Sequence, residues 1–320
     1  MSAFGRAGPV SNAAVARVGA VRGQETWGWL VAAYLFVSGT GAGAYAMGAA
    51  AEWLGEPGAA TVAVILGPLL VGPATLLLIG DLGRPAGFLR AGRRPGTSWI
   101  SRGVVILSAF LVASALHAAC ALLGGPAAAR LALAAAGGGL AMLTMVYTGL
   151  LLGAIRPIPF WTTPVLPVLF TVSSLSTGVM AVDLVATLAR LAEPPALAAL
   201  RRADLALLAL EAGVIALYLA LGHATVAARA ATALVTRGAL AKRFWGGVVG
   251  AGLVAPFAVQ LLEVSGVLPA GAAWTALSSG SGLAGGFLLR RIVIAGGVKS
   301  PLNAAGMLFP LPGHPRPWQA

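Results

Sequence analysis

Several of the chain's few ionisable residues lie where an ionisable side chain is costly. The sequence holds nine acidic residues among 320, and two of them, Asp183 and Glu211, fall deep inside long apolar stretches. A carboxylate at such a depth pairs with a buried base, stays protonated or passes protons on. Asp183 and Glu211 are therefore candidate proton-transfer residues, and the alternative interpretation is that each makes a structural hydrogen bond.

A second group of charges follows the apolar run that ends near residue 80. The segment GDLGRPAGFLRAGRR, residues 80 to 94, places Asp81 three positions before Arg84 and then adds further arginines. Arginines at a membrane boundary ordinarily reach out to lipid phosphates. An acid gains nothing there unless it pairs with a base, so we expect Asp81 to pair with Arg84 or another arginine. Asp81 is also a candidate for proton exchange at this boundary.

Two tyrosines are expected at matching depths. Tyr34 lies about seven residues into the first apolar stretch and Tyr147 about seven before the end of the fourth, so both fall roughly 10 Å below one face. A phenol at that depth can donate a hydrogen bond to a carbonyl while its ring packs against apolar atoms. The two side chains could share a pocket. The alternative is a pair of interfacial tyrosines in the aromatic belt.

Histidine and cysteine usage argues against redox groups bound by this protein alone. His117 and His223 are expected at different depths, so they do not form the facing pair of imidazoles that a b-type haem needs. Cys120 is the one cysteine of the sequence, too few for an iron-sulfur cluster. We expect no intrinsic haem and no intrinsic iron-sulfur cluster.

The composition identifies the elements that must position these residues. Hydrophobic residues make up 58% of the chain and charged residues only 9%, which is typical of an integral membrane protein. A membrane-spanning helix needs about 20 mainly apolar residues. Eight stretches of this kind occur, at about 27–53, 60–80, 99–123, 130–154, 164–189, 203–228, 244–264 and 273–295. The predicted fold is all-α, with eight transmembrane helices over residues 27–295 between terminal tails at 1–26 and 296–320.

The distribution of basic residues predicts the orientation. Of the 21 Lys and Arg residues, 17 fall on the side of both termini. The positive-inside rule then places both termini in the cytoplasm, for a multi-pass protein of a bacterial inner membrane. The net charge of +12 is explained by this topology and by anionic membrane lipid, so we expect no binding of nucleic acid.

Six segments, taken in order, resemble the NrfD/PsrC family, the membrane subunits of polysulfide-reductase-type complexes. The resemblance covers about residues 25 to 297. The segments are WGWLVAAYLFVSGTGAGAYA (27–46), DLGRPAGFL (81–89), TSWISRG (97–103), YTGLLLGAIRPIPFWTTPVLPVLF (147–170), SSLSTG (173–178) and FWGGVV (244–249).

This resemblance implies an eight-helix membrane anchor subunit, arranged as two four-helix bundles, that binds a quinone, either menaquinone or ubiquinone. It also implies two partners: a ferredoxin-like protein with four iron-sulfur clusters, and a molybdopterin catalytic subunit. The expected role is to pass electrons between the quinone pool and the iron-sulfur partner. A secondary transporter that uses the deep acidic residues is the alternative function.

The resemblance also implies roles for individual residues. Tyr147 matches the quinone-site tyrosine of the family, and Tyr34 stands where the best-studied type of member has a histidine in its first helix. Asp81 and Arg84 belong to the loop motif after the second helix, close to the quinone pocket. In the polysulfide-reductase type the catalytic subunits lie outside the cytoplasm, whereas the count of basic residues places this face inside.

Overall fold

The computed structural model describes residues 24, 27–55, 59–81, 99–155, 157–222, 225–299, 302–304 and 307–309. One predicted site residue, Arg84, lies outside these ranges, as does His223. Asp81 is the last residue of a helix, but its side chain is outside the described part of the structure.

Helices make up nearly all of the described residues. A π-helix, Arg243–Val254, continues directly into α8, and a short antiparallel pair of strands follows the last helix, with Asn303 opposite Leu308. The elements are α1 (Trp29–Trp53), α2 (Ala60–Asp81), α3 (Trp99–Leu122), α4 (Ala127–Gly153), α5 (Val165–Leu188), α6 (Pro194–Leu221), α7 (Val226–Thr236), α8 (Ala255–Val264), α9 (Ala272–Ala295), β1 (Leu302–Ala304) and β2 (Met307–Phe309).

The predicted fold class, an all-α membrane protein, is confirmed. Within the described residues, seven helical segments are long and apolar enough to cross a membrane: α1 to α6 and the continuous π-helix with α8. The eighth predicted segment forms α9, a helix of 24 residues. Its middle is rich in serine and glycine, and it buries Ser278, Ser279 and Gly282. The side of a membrane helix that packs on other helices, instead of on lipid, does not need to be apolar, which explains its weaker hydropathy.

The long helices form two rings of four. In the first bundle, α1 contacts α2 and α4, and α3 closes the ring by packing on the same two helices. In the second bundle, α5 contacts α6 and α9, and α8 with the π-helix closes the ring between them. Helix α5 also packs on α1 and α4 and so joins the two bundles. We call the face where α1 begins and α9 ends the terminal face, and the other the opposite face.

Glycines let the helices that join the bundles approach closely. A Cβ atom added at Gly178 of α5 would collide with the backbone of Gly43 in α1. In the second bundle, a Cβ atom at Gly252 of the π-helix would lie 2.7 Å from the Cα atom of Gly285 in α9. Helices in a membrane associate through such close backbone packing, because lipid provides no hydrophobic driving force between them.

Helix α6 differs from its predicted bounds. It begins at Pro194 instead of about residue 203, and it ends at Leu221, so that the apolar residues just beyond belong to the separate helix α7. Proline is well suited to the first turn of a helix, because the backbone N–H groups of that turn have no partner within the helix and the proline therefore loses no hydrogen bond. The earlier start places Arg201 within α6, where it is buried, although the count of basic residues had assigned it to a membrane face.

Candidate functional site

The two candidate quinone-binding tyrosines lie at nearly the same depth in the first bundle. Tyr34 is five residues after the start of α1 and Tyr147 six before the end of α4, roughly 8 and 9 Å from the terminal face. Both side chains are buried, and Tyr147 is an electrostatic neighbour of Tyr34. The Tyr34 hydroxyl has no hydrogen-bond partner among the described residues. A buried donor without a partner is unusual in a folded protein.

A glycine that the sequence analysis did not single out leaves the room in which the Tyr147 ring lies. A Cβ atom at Gly103 in α3 would collide with the Tyr147 hydroxyl and ring. The phenol therefore occupies space that any other residue at position 103 would fill. The segment TSWISRG contains this glycine, but its contact with Tyr147 depends on how α3 packs on α4.

The first turn of α3 adds charged and polar groups at the terminal face. The Arg102 guanidinium lies 4.6 Å from the centroid of the Trp99 ring. Ser101, beside it, is buried. The expected pair of Asp81 with Arg84 remains a prediction, because neither side chain is in the described part of the structure.

Arg290, in the last turns of α9, is completely buried instead of reaching the lipid headgroups. Its Nη1 donates to the Ser173 hydroxyl, and its Nη2 donates to Ser174 Oγ at 3.1 Å. The rings of Phe36 and Phe170 flank the guanidinium, at 5.8 and 5.4 Å from its central carbon. These partners come from α1 and α5, so the arginine lies where the two bundles meet.

Glu211 is the acidic counterpart of this arginine. It is buried in α6, ten residues from that helix's terminal end and thus roughly 15 Å deep. Its carboxyl group is hydrogen-bonded to the Ser173 side chain, and Arg290 is its electrostatic neighbour. Ser173 therefore bridges the two charged groups. The sequence analysis allowed this deep acid to pair with a buried base, to stay protonated, to pass protons on or to make a structural hydrogen bond. The structure places a buried base, Arg290, and a hydroxyl, Ser173, beside it.

Asp204 is a buried acid that the sequence analysis missed. It lies seven residues before Glu211 on the same helix, a spacing that puts both on one face. Ser176 donates to its Oδ1 atom at 2.7 Å, and Gln260 donates to its Oδ2 atom at 2.7 Å. The predicted start of α6, near residue 203, placed this acid at a membrane boundary. The earlier start of the helix at Pro194 is the signal that would have located it inside.

Asp183 belongs to a buried ionic cluster near the opposite face. Arg201 Nε donates to Asp183 Oδ2 at 3.0 Å, and Arg201 Nη2 donates to Asp183 Oδ1 at 3.3 Å. Glu263 Oε2 lies 3.6 Å from Arg201 Nε, and Thr275 accepts a hydrogen bond from Arg201 Nη2 at 2.7 Å. The cluster therefore joins all four members of the second bundle. Arg201 of α6 lies between the carboxylates of Asp183 in α5 and Glu263 in α8, and it also donates to Thr275 in α9.

His117 forms a separate polar network in the first bundle. Its Nδ1 is 2.8 Å from the Tyr45 hydroxyl, and its Nε2 is 2.7 Å from Glu52 Oε2. Arg130 Nε donates to the other oxygen of Glu52 at 2.6 Å. Both ring nitrogens of His117 therefore have protein partners, and the residue is a buried, hydrogen-bonded histidine.

Together, the fold and these clusters define a multi-pass, all-helical membrane protein with hydrogen-bonded charged residues inside both of its bundles. The protein belongs to the NrfD family: the family model described as "Polysulphide reductase, NrfD" matches residues 19–301. This family supplies membrane subunits of oxidoreductases.

Two curated relatives support the assignment. The C subunit of polysulfide reductase from Wolinella succinogenes is 29% identical over 275 residues, which cover 75% of the present protein and 84% of the relative. Protein NrfD of Escherichia coli strain K12 is 28% identical over 305 residues, covering 85% of the present protein and 94% of the relative. Both similarities extend over most of each polypeptide.

Proposed function

We propose that this protein is the quinone-reactive membrane anchor of a respiratory oxidoreductase, passing electrons between the quinone pool and an iron-sulfur partner. The observation that carries the proposal is the buried Tyr34 hydroxyl, which has no partner among the described residues and has Tyr147 as its neighbour. A quinone supplies ring carbonyls that accept hydrogen bonds, together with the capacity to take up electrons and protons.

The residues around the two tyrosines fit such a headgroup. Tyr34 has a donor without a partner among the described residues, Tyr147 offers a second phenol, and both belong to the buried hydrophobic cluster. Their shallow depth below the terminal face suits a headgroup that must exchange protons with that face. Asp81 is the last residue of α2 at this same face, and Arg84 comes three positions later in the sequence. We propose that Asp81 exchanges protons with the bound quinone and that Arg84 helps to bind it.

Electrons must pass to or from the bound quinone through another protein, because a polypeptide with one cysteine cannot hold an iron-sulfur cluster by its own thiolates. A ferredoxin-like subunit with four clusters, linked to a molybdopterin catalytic subunit, fits this requirement. The name of the Wolinella relative identifies it as one polypeptide of an enzyme that has several. We propose that the partner docks on the terminal face and that the protein lies in the inner membrane with its termini in the cytoplasm.

The second bundle offers a route for protons across the membrane. Polar groups follow one another from the terminal face inward: Arg290, Ser173 and Glu211 come first, and Asp204 lies roughly 10 Å further along α6. Arg201 follows about 4.5 Å beyond, where it binds Asp183 near the opposite face. We propose that Glu211, Asp204 and Asp183 carry protons along this line.

Buried polar atoms of α8 support this route. Gln260 Oε1 and Glu263 Oε2 are buried and have no hydrogen-bond partner among the described residues. Their residues lie one helical turn apart. Gln260 also donates to Asp204, and Glu263 belongs to the ionic cluster of Arg201. Buried polar atoms of this kind are the places where internal waters bind. Water at these positions would connect Asp204 to the cluster at the opposite face.

The quinone site is tested by removing one hydroxyl at a time from the purified complex. Tyr147→Phe and Tyr34→Phe should each preserve assembly with the partner subunits and reduce quinol-dependent electron transfer about fivefold, because each loses one hydrogen bond worth about 1 kcal/mol. The control is Tyr218→Phe, which removes a buried hydroxyl that donates to the Phe160 carbonyl at 2.7 Å, away from the first bundle. Unaltered turnover in both test variants would refute the assignment.

The proton route requires a separate measurement. In vesicles that contain the complex, Glu211→Gln should leave quinol oxidation measurable but lower the number of protons moved per electron, because an amide cannot release a proton. If the ratio of protons to electrons stays unchanged in Glu211→Gln and Asp204→Asn, the second bundle does not conduct protons. Solute transport by the isolated protein would favour the transporter alternative.

A further inference from the structure

Helix α7 is too short to span a membrane, and it carries one basic residue, Arg229, with Arg237 as its C-cap. Its 11 residues extend roughly 16 Å, about half the thickness of the hydrocarbon core. Thr225 caps its first turn by accepting from the Ala228 amide at 3.1 Å. The side that packs against the protein consists of small and branched apolar residues and includes Ala227, Ala231 and Val235. Such a helix is suited to lie at the boundary between membrane and water.

The outer side of α7 borders a hollow of about 610 Å³. Residues of α7 and its C-cap at helical spacing line one wall, from Arg229 through Thr236 to Arg237. Ala216, together with two further residues of α6, forms the apolar wall opposite. Trp245, at the start of the π-helix, completes the lining and donates from its indole N–H to the Thr236 carbonyl at 3.0 Å.

The two arginines of this hollow have no acidic partner among the residues that the structure describes. No Asp or Glu occurs between residues 212 and 262 of the sequence. Within the described ranges, neither Arg229 nor Arg237 makes an ion pair, and both are exposed. The adjacent surface of α6 exposes Leu217 and Leu221, at 50% and 47%, as expected of a side that faces lipid tails. Two cations that form no ion pair with any described residue thus lie beside an apolar, lipid-facing wall.

We propose that this hollow is a binding site for an anionic phospholipid. Its phosphate would lie between Arg229 and Arg237, because guanidinium groups bind phosphate oxygens with paired hydrogen bonds. One acyl chain would follow the wall around Ala216, and the exposed indole of Trp245 would lie at headgroup level, where tryptophan is enriched. Free phosphate satisfies the arginines but leaves the apolar wall uncovered, so the combination of the two walls favours a lipid.

The site is tested with the full-length protein in a neutral detergent, to which phosphatidylglycerol or phosphatidylcholine is added. Bound lipid is measured by native mass spectrometry. We expect phosphatidylglycerol to be retained in preference to phosphatidylcholine. The preference should weaken about fivefold in each of Arg229→Gln and Arg237→Gln, since a basic residue near an anionic surface contributes about that factor. Arg243→Gln removes an exposed arginine at the same face that does not line the hollow, and it should keep the preference.

Two further variants separate the lipid from simpler explanations. Arg237→Lys keeps the charge and should retain most of the preference. Ala216→Phe fills the apolar wall at an exposed position and should weaken retention of the lipid without touching either arginine. Equal retention of both lipids, or displacement of phosphatidylglycerol by an equal concentration of inorganic phosphate, would overturn the proposal. So would an Arg243→Gln variant that loses as much lipid as Arg229→Gln.

Discussion

Arg201 is the residue whose loss should most damage the second bundle. Its guanidinium is buried and donates to Asp183 at 3.0 and 3.3 Å, while Glu263 lies 3.6 Å away. The substitution Arg201→Gln removes the positive charge and leaves two buried carboxylates beside one another. Each would then have to take up a proton or stay charged without a counter-ion.

The size of the effect follows from this geometry. Removing one partner of a buried ion pair costs about 3–5 kcal/mol, because the remaining charge is uncompensated. Arg201→Gln should lie at the upper end of that range, since it leaves two such carboxylates. Glu263→Gln should cost less, at most about 1 kcal/mol, because Arg201 keeps its close pair with Asp183. Replacing all three residues by their neutral counterparts should give a protein more stable than Arg201→Gln alone, since no unpaired charge remains.

The free energy of unfolding can be measured by titrating the detergent-purified protein with sodium dodecyl sulfate and following helix content by circular dichroism. The control is Arg202→Gln, which changes the neighbouring, exposed arginine of α6 and should stay within about 0.5 kcal/mol of the natural protein. The reasoning is refuted if Arg201→Gln is as mild as Arg202→Gln. It is equally refuted if the neutral triple variant is less stable than Arg201→Gln.

Two other substitutions test the first bundle. Gly103→Ala should displace the Tyr147 ring, because the added Cβ would collide with that phenol, and quinol-dependent turnover should therefore fall. The control is Gly139→Ala, whose added Cβ meets no atom within 4 Å and should leave turnover unchanged. Equal turnover in both glycine variants would contradict the role of this contact. Tyr45→Phe should lower the free energy of unfolding by about 1 kcal/mol, since it removes the hydroxyl 2.8 Å from His117 Nδ1. A gain in stability would contradict the role of this hydrogen bond.

Much of the fold could be predicted from the sequence alone because membrane helices have a simple requirement. A run of about 20 apolar residues satisfies its own backbone hydrogen bonds as a helix, whatever surrounds it. The stretches predicted near 27–53 and 99–123 therefore match α1 and α3 within two residues at each end. Hydropathy is less informative where helices bury polar residues, as in α9, or where an arginine lies inside the membrane, as at the start of α6.

The partners of the buried charges could not be predicted in the same way. Arg290 binds Ser173, which is 117 residues away in the sequence, and Arg201 binds Thr275 at a separation of 74. The count of basic residues in the sequence analysis treats every arginine as lying at a membrane face, where an unpaired arginine is least costly. Their burial is favourable only because the bundle brings acceptors from other helices around each guanidinium.

The sequence by itself determined that this is a helical membrane protein, that its tyrosines at 34 and 147 lie at one depth, and that it has too few cysteines to hold a cluster. These properties depend on composition and on distance along a helix, both of which are local. Only the tertiary structure decided that Glu211 and Arg290 share Ser173 and that Asp204 lies on the same inner side. It also decided that Arg229 and Arg237, which form no ion pair with the described residues, lie beside an apolar wall. Those relations depend on which helix faces meet. The packing of neighbouring helices in a bundle determines this, whereas neighbouring residues in the sequence do not.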